Sequence, residues 1–167
     1  MGLESLFSGN ALQSVDGEGA MVLPAFVLRA LARRSESRQV MFSPHELDPC
    51  MNGYDEGHAA WLFAETERRR LRDESFGLAT DEHHRRARRA FGAAESAAYD
   101  ARGRIVLPPA VRRRAKLDGA ALIVGTGGSF EIWNPDIARA SGDDELSRLA
   151  AEALAAGGNK QANEVQA

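Results

Sequence analysis

The sequence has little cysteine and no long apolar run, and each absence excludes a class of protein. Cys50 is the single cysteine among 167 residues, so the chain has neither a disulfide framework nor a zinc site built from several cysteines. No stretch approaches the ~20 consecutive apolar residues that a membrane-spanning helix needs. The first residues, Met1–Ser5, lack the basic and apolar parts of a secretory signal. We therefore expect a cytoplasmic protein with no membrane partner.

Acidic residues outnumber basic ones, and the formal net charge of −3 argues weakly against a nucleic-acid partner. The distribution of charge matters more than its sum. Residues 99–116 contain a single acid, Asp100, and a group of bases: Arg102, Arg104, Arg112, Arg113, Arg114 and Lys116. The sequence therefore predicts one localised basic surface in a chain whose two ends are acidic.

The chain contains one short unit twice. Residues 15–27 and 99–111 align at an offset of 84 positions and share an Asp, a Gly three residues later, Val-Leu-Pro and a later Val. Asp-x-x-Gly is typical of a turn, because the Asp side chain accepts hydrogen bonds from the backbone ahead of it and glycine tolerates a positive φ. In both copies a β-prone run and a helix-opening proline follow.

Each copy predicts the order strand, turn, strand, helix, strand, turn, strand. The later strands are expected at 39–42 and 47–54 in the first half, and at 121–125 and 129–133 in the second. Such a unit has too few strands to bury both faces of its sheet. We therefore expect the two copies to complete each other's sheet, as an intramolecular pseudo-dimer around a shared β core.

Helices are predicted outside the repeated unit. The spacing of apolar residues indicates helices over 58–72 and 81–93, with a break at 76–80, and an amphipathic helix over 145–156. Gly157–Gly158 is expected to end this last helix. The polar residues 159–167 are expected to be disordered.

The second copy and the segments after it resemble the MraZ family. The resemblance rests on Asp100–Pro108 followed by a basic helix, on Val124-Gly125 and on Phe130-Glu131-Ile132-Trp133. The first half contributes Ser8-Gly9-Asn10, His45, Pro49-Cys50 and Tyr54. The similarity extends roughly from Phe7 to Pro135.

The resemblance implies an α+β fold: a duplicated AbrB-like swapped-hairpin structure, or double-split β-barrel, that forms a pseudo-dimer with peripheral helices. It implies a SpoVT-AbrB-like repeat at 7–57, a helical connector at 58–93, a second such repeat at 94–140, and a C-terminal helix with a polar tail at 141–167. It also implies a bacterial transcriptional regulator that assembles into rings and binds short repeated DNA boxes.

Carried over to this chain, the resemblance implies a sequence-specific DNA-binding regulator associated with the nucleoid. The expected partners are double-stranded promoter DNA and further copies of the chain in a ring, as an octamer or larger. The expected action is repression of the division and cell-wall gene cluster, including the chain's own promoter. No cofactor, metal or catalytic residue is implied.

The resemblance places the expected DNA-binding residues in and after the second turn. The arginine of Asp-x-x-Gly-Arg faces DNA in the family, and here it is Arg104, with Arg102 beside it. Arginine at a hairpin turn can make paired bonds to guanine or hold a phosphate. The basic helix that follows adds Arg112, Arg113 and Arg114 as candidate phosphate contacts.

The first turn departs from the family pattern. Glu18 and Ala20 occupy the positions at which the family has its bases, so the turn can form but its contribution to DNA binding is in doubt. This departure, together with the negative net charge, keeps an alternative open. The alternative is an oligomeric protein-interaction or antitoxin-like module with weakened DNA binding.

Other residue groups favour structural interpretations over functional ones. The arginines within 68–72 and 85–89 alternate with acids, so ion pairs and subunit contacts are expected there rather than DNA contacts. Neither His83-His84 nor the set of His45, Cys50 and His58 has a known metal-ligand spacing. Residues 125–128 lie between two strands and predict a hairpin turn rather than a phosphate loop. No pattern predicts an enzyme.

Overall fold

The computed structural model describes residues 2–165, with the backbone alone for 159–165, and has an α+β fold. The first copy of the repeated unit contributes the strands β1 (Asn10–Ser14), β2 (Ala20–Val22), β3 (Gln39–Pro44) and β4 (Met51–Tyr54). The second copy contributes β5 (Glu95–Ala98), β6 (Arg104–Val106), β7 (Ala120–Gly125) and β8 (Phe130–Trp133). Both copies therefore have the predicted order of elements.

The helices lie within and between the two copies. They are α1 (Ala25–Arg34), α2 (Glu56–Ser75), α3 (Asp81–Ala87), α4 (Pro109–Arg114), α5 (Pro135–Arg139) and α6 (Asp144–Val165). A 3₁₀ turn spans Leu3–Ser5, and a π-helical turn, Arg88–Gly92, follows α3. None of the helices in the described part of the chain is long and apolar enough to cross a membrane.

The strands form two antiparallel sheets rather than one closed barrel. The larger sheet has six strands in the order β1-β7-β8-β4-β3-β5, and β2 pairs with β6 in a separate two-stranded sheet. Strands of different copies pair at four places: β1 with β7, β3 with β5, β4 with β8 and β2 with β6. The two copies therefore complete each other's sheets, as the count of strands predicts.

One hydrophobic core joins the two copies. Its buried side chains include Met21 and Ile105 from the small sheet, Leu31 from α1 and Val111 from α4. A second cluster, which includes Leu122 and Trp133, packs with α5 and α6. Burial of each large apolar side chain contributes ~1.5–3 kcal/mol, so the small sheet is firmly anchored by its inward face.

Helix α6 corrects two expectations about the C-terminal segment. It begins at Asp144, where the Asp143 Oδ1 accepts a hydrogen bond from the Leu146 N–H at 2.8 Å. It then continues through Gly157–Gly158 to Val165 instead of ending at the glycines. Gly157 lies against Leu12 of β1, where an added Cβ would come within 3.1 Å of the Leu12 Cδ2. Helices commonly end at a glycine in the left-handed conformation, but neither Gly157 nor Gly158 has a positive φ, and the helix continues through them. Residues 159–165, expected to be disordered, are helical, and 166–167 lie outside the described residues.

Two predicted elements are shorter than expected, and one was missed. The first four residues of the predicted strand at 47–54 form a loop, in which the His45 Nδ1 accepts hydrogen bonds from the N–H groups of Leu47 and Asp48. The predicted helix at 81–93 is α helical only to Ala87. Helix α5 was not predicted from the sequence. The break at 76–80 is confirmed, with Gly77 at a φ of +68°.

Candidate nucleic-acid interface

The two-stranded sheet, here called the ribbon, consists of β2 and β6. In its antiparallel register Ala20 lies opposite Val106, Met21 opposite Ile105, and Val22 opposite Arg104. Met21 and Ile105 point into the core, and because side chains alternate along a strand the other positions share the outward face. Val22 and Val106 on that face are 50% and 52% exposed. The ribbon therefore has an anchored inner face, and its outer face is open at Val22, Arg104 and Val106 but covered at Ala20, which is buried.

A turn with the same hydrogen bonds precedes each strand of the ribbon. In the first turn, the Asp16 Oδ1 accepts from the N–H groups of Glu18 at 3.0 Å and Ala20 at 2.9 Å. In the second turn, the Asp100 Oδ1 accepts from the N–H groups of Arg102 and Arg104, both at 2.9 Å. These bonds confirm that both copies of Asp-x-x-Gly form the predicted turn.

Glycine is required in both turns because of its backbone conformation. Gly19 has a φ of +88° and Gly103 a φ of +81°, which is a region that other residues adopt at a cost. Each glycine carbonyl also accepts a hydrogen bond from the other copy: Gly103 from the Leu23 N–H at 2.8 Å, and Gly19 from the Leu107 N–H at 2.9 Å. Because the strands are antiparallel, the two turns lie at opposite ends of the ribbon, and each is held by the other copy.

The turn carboxylates are held in the ionised form. The Ala20 N–H lowers the pKa of Asp16, and the Arg104 N–H lowers the pKa of Asp100, because both hydrogen bonds favour the charged acceptor. The positive charge of Arg104 also lowers the pKa of both carboxyl groups. The turns therefore keep their hydrogen-bonded geometry at neutral pH.

The predicted site residues lie at three places: the second turn, the end of α4 and the first turn. Arg102 and Arg104 are exposed at the second turn, and Arg113 and Arg114 are exposed at the end of α4. None of these four guanidinium groups forms an ion pair with a carboxylate of the described residues at 4.0 Å or less. Arg112 is half-buried and lies on the first turn, where its Nη1 donates to the Gly17 carbonyl at 3.3 Å. Arg102 and Arg104 thus belong to the second turn, whereas Arg112 lies on the first.

The arginine-rich helices differ from this site, because acids pair with many of their arginines. The paired arginines of α2 and α3 are Arg68 with Glu65, Arg69 with Glu46, Arg70 with Glu67 and Glu74, Arg85 with Glu82, and Arg86 with Glu46 and Asp73. These contacts confirm the expectation of ion pairs in this part of the chain. The exposed arginines of the ribbon, which form no ion pair with an acid of the described residues, therefore differ from most arginines of α2 and α3.

The outward valines of the ribbon were not among the predicted site residues. Val22 and Val106 flank Arg104 on the outward face, and the Gln13 Nε2 donates to the Val22 carbonyl at 2.6 Å. The sequence could have indicated these valines, because in each strand an inward residue, Met21 or Ile105, is followed by an outward valine. Exposed apolar side chains on a two-stranded ribbon provide contact surface to a partner.

The other candidate chemistries lack a suitable arrangement. Among residues 2–158, no group of three or more His, Cys, Asp or Glu side chains is placed to hold a metal ion. Cys50 is buried, and burial raises the pKa of its thiol, so the nucleophilic thiolate is disfavoured. Thr126 and Ser129 close the turn between β7 and β8 through the Thr126 N–H and the Ser129 carbonyl at 2.9 Å, which confirms the predicted hairpin.

Comparison with known proteins agrees with the resemblance seen in the sequence. Residues 90–139 match the family model described as "MraZ protein, putative antitoxin-like". A protein of Pseudomonas fluorescens strain Pf-5 named transcriptional regulator MraZ is 31% identical over 146 residues, which cover 86% of this chain and 90% of that protein. The proteins of the same name from Azotobacter vinelandii and Saccharophagus degradans are 32% and 31% identical and are covered over 90% and 94% of their lengths. Similarity at this level over almost the whole of each relative shows that the chain belongs to the MraZ family.

Proposed function

We propose that the chain is a sequence-specific DNA-binding transcriptional regulator that contacts DNA through the outward face of the ribbon. The observation that carries the proposal is the second turn, where Arg102 and Arg104 are exposed and unpaired on a backbone fixed by Asp100. The names of the relatives, transcriptional regulator MraZ, agree with this function.

The ribbon has a shape and chemistry suited to a DNA groove. The major groove of B-DNA is about 12 Å wide and admits a two-stranded β ribbon. Arginine reads guanine by paired hydrogen bonds to its O6 and N7 atoms, and it also binds phosphate. We assign Arg104 to the base edge or the adjacent phosphate, Arg102 beside it, and Arg113 and Arg114 to phosphates along the α4 end. Arg112, on the first turn, is the fifth phosphate-binding candidate.

The strand exchange supports the finer fold assignment. Because β1 pairs with β7 and β5 with β3, we interpret the fold as an AbrB-like swapped-hairpin pseudo-dimer. Its two repeats lie at 7–57 and 94–140, with a helical connector at 58–93 and a C-terminal helical segment from 141 onward. In this interpretation the two ends of the ribbon are the equivalent DNA-binding positions of the two repeats.

We further propose that the chain acts as a ring-shaped homo-oligomer, an octamer or larger, on repeated promoter boxes. One chain presents few cations, but several chains side by side bind repeated boxes with a high effective concentration. The connector offers apolar contact surface for other copies, since Trp61, Phe63, Leu71, Phe76 and Leu78 are each more than half exposed. The proposed action is repression of the division and cell-wall gene cluster, including the chain's own promoter, at the nucleoid.

The test is a titration of the full-length protein on the DNA upstream of its own gene and on random DNA of equal length. Wild-type protein should prefer the promoter DNA, with an affinity that falls steeply with salt because phosphate contacts release counterions. Arg104→Ala should weaken promoter binding by about tenfold or more, as expected for a lost paired arginine contact worth ~1–3 kcal/mol.

The matched control is Arg148→Ala. Arg148 is an exposed arginine of α6 that pairs with Glu145 and Glu152, away from the ribbon, and its loss should leave DNA affinity unchanged. If Arg104→Ala binds as tightly as wild type, the assignment of the site is wrong. Intact oligomers that bind promoter and random DNA equally would instead favour the alternative, a protein-interaction or antitoxin-like module.

A further inference from the structure

The two turns of the ribbon differ at two pairs of equivalent positions. Position 20 is alanine in the first turn, whereas its equivalent in the second turn is Arg104. The helices that follow differ in the same sense, since Leu28 of α1 is equivalent to Arg112 of α4 at the same offset of 84 positions. The second copy therefore has an arginine at both positions, and the first copy has an apolar residue at both.

The strand exchange brings each of these helix residues onto the turn of the other copy. Leu28 covers Gly103 in the second turn, where an added Cβ would lie 2.5 Å from the Leu28 Cδ1. Arg112 covers Gly19 in the first turn, where an added Cβ would lie 2.6 Å from the Arg112 Nε. The turn that lacks its own arginine is therefore the turn on which the guanidinium group of Arg112 lies.

Arg112 is fixed in this place but retains hydrogen-bonding capacity. Its Nη1 donates to the Gly17 carbonyl at 3.3 Å, and its Nε is buried without a hydrogen-bond partner among the described residues. No carboxylate of those residues, Glu18 included, lies within 4.0 Å of the guanidinium group. A guanidinium has five N–H donors; with the Nε–H buried and one Nη1–H donated to Gly17, the three remaining Nη N–H groups are the donors that a ligand could use.

The surface beside Arg112 has the charge of an anion-binding site. A hollow of about 500 Å³ is lined by Pro109, Arg112, Arg113, Lys116 and Leu117. Three of these five residues carry a positive charge, and Arg113 and Lys116 are exposed without an ion pair in the described part of the chain. A phosphate group is the ligand that such a set of donors binds best.

We propose that Arg112 provides the first turn with the cation that is absent at position 20, and that it binds a backbone phosphate of the DNA there. The inference rests on the proposed function and extends it to the end of the ribbon at which the sequence predicts no binding. Both ends of the ribbon then present one guanidinium group held by a turn: Arg104 from within the second turn, and Arg112 from the helix that covers the first.

The test compares promoter binding by full-length variants over a range of salt concentrations. Arg112→Leu gives the first turn the same covering residue as the second, and Arg112→Gln keeps a donor for the Gly17 carbonyl while removing the charge. Both should weaken binding by about tenfold at moderate salt and reduce the slope of log affinity against log salt by about one phosphate contact. Arg112→Lys, which keeps the charge, should preserve most of the slope.

A transplant tests where the cation acts. The double variant Ala20→Arg with Arg112→Leu rebuilds the first turn on the pattern of the second, with an arginine in the turn and a leucine over the glycine. It should recover the affinity to within about threefold of wild type and restore the salt slope. Circular dichroism and the elution volume of the oligomer, both unchanged from wild type, identify the variants that have folded.

Four outcomes distinguish the inference from the proposed function on which it rests. Weak binding by Arg112→Gln with recovery in the transplant supports the inference. Unchanged binding by Arg112→Gln alongside a loss in Arg104→Ala overturns the inference and leaves the proposed function standing. Unchanged promoter binding by both variants overturns the part of the proposed function that assigns DNA contact to the ribbon, and the inference with it. A folded transplant that binds as weakly as Arg112→Leu would show that Arg112 acts away from the first turn, and would also overturn the inference.

Discussion

Breaking the ion pair between Arg34 and Asp55 should be strongly destabilising. The Arg34 Nε lies 2.6 Å from the Asp55 Oδ1, and the two side chains are only 8% and 3% exposed. The same guanidinium donates to the Ser5 carbonyl at 3.1 Å and the Gly128 carbonyl at 3.3 Å, and its Cζ lies 5.1 Å from the centre of the Phe7 ring. The pair thus connects α1, the N-terminal segment, the β7–β8 hairpin and the start of α2.

Removing one partner of this pair leaves a buried charge without its counter-ion. Arg34→Met keeps an apolar stem of similar length but takes the cation from Asp55, and breaking a buried pair in this way costs ~3–5 kcal/mol. For a chain of this size that corresponds to a fall in Tm of about 6–20 °C. Asp55→Asn keeps one oxygen, which can still accept from the Gly57 N–H that the Asp55 Oδ2 binds at 3.0 Å to cap α2, but it removes both the charge and the second acceptor, which binds the Arg34 Nε.

The neighbouring arginine provides the matched control. Arg33 pairs with Glu4 at 2.9 Å, but the two side chains are 63% and 68% exposed, and such exposed pairs contribute ~0–1 kcal/mol. Arg33→Met should therefore change stability by less than about 1 kcal/mol. The comparison separates loss of a buried charge from loss of any arginine at the end of α1.

Urea unfolding at a fixed protomer concentration measures these changes, because association with other copies also shifts apparent stability. The double variant Arg34→Met with Asp55→Asn should cost less than the sum of its single changes, since neither charge is then left alone. If Arg34→Met falls within about 1 kcal/mol of wild type, or if the two single effects simply add, the pair does not stabilise the fold as described.

Two further predictions concern the sheets and turns. Gly53→Ala should destabilise the protein by ~1–3 kcal/mol, because a Cβ at Gly53 would overlap the buried ring of Phe130 on β8. Gly142→Ala, at a site with open space, is the control in the same urea titration. If the two variants are equally stable, the described packing of Gly53 against Phe130 is wrong. Asp100→Asn should show a pH-dependent loss of stability, because hydrogen bonding by the Arg104 N–H lowers the folded-state pKa of Asp100. The stabilisation by the ionised carboxylate is fully present above the unfolded-state pKa of about 3.9. It disappears as the pH falls through the folded-state pKa. The wild-type advantage over Asp100→Asn should thus be constant near neutral pH and vanish in acid, and an advantage that grows in acid would refute the assignment.

The turns could be predicted because their hydrogen bonds join residues close in sequence, whereas the pairing of distant strands was harder to predict. Asp16 and Asp100 accept the expected backbone hydrogen bonds because these bonds span only a few residues. The shortage of strands in each copy correctly predicted that the copies complete one another. The particular partners, such as β1 with β7, depend on packing between residues more than 100 positions apart, which no local pattern encodes.

The incorrect predictions also depend on contacts between distant residues. Gly157–Gly158 resembles a helix end, but α6 continues through it, and Gly157 lies so close to Leu12 of the sheet that a side chain would be crowded there. Arg112 was recognised as part of a basic helix, while its position on the first turn follows from the strand exchange. Comparison of position 28 with position 112 was the available signal, because the second copy has an arginine both here and at position 104, where the first copy has leucine and alanine.

Every strand of the ribbon and of the six-stranded sheet pairs with a strand of the other copy. This exchange has a consequence for how the chain can change in evolution. In a homodimer built on this plan, one substitution would alter both ends of the ribbon at once. Here the copies are separate stretches of one gene, so a substitution alters one end, as the different residues at positions 20 and 104 illustrate. Neither copy can be lost, because each provides the missing strands of the other, yet each end of the ribbon is free to acquire its own specificity.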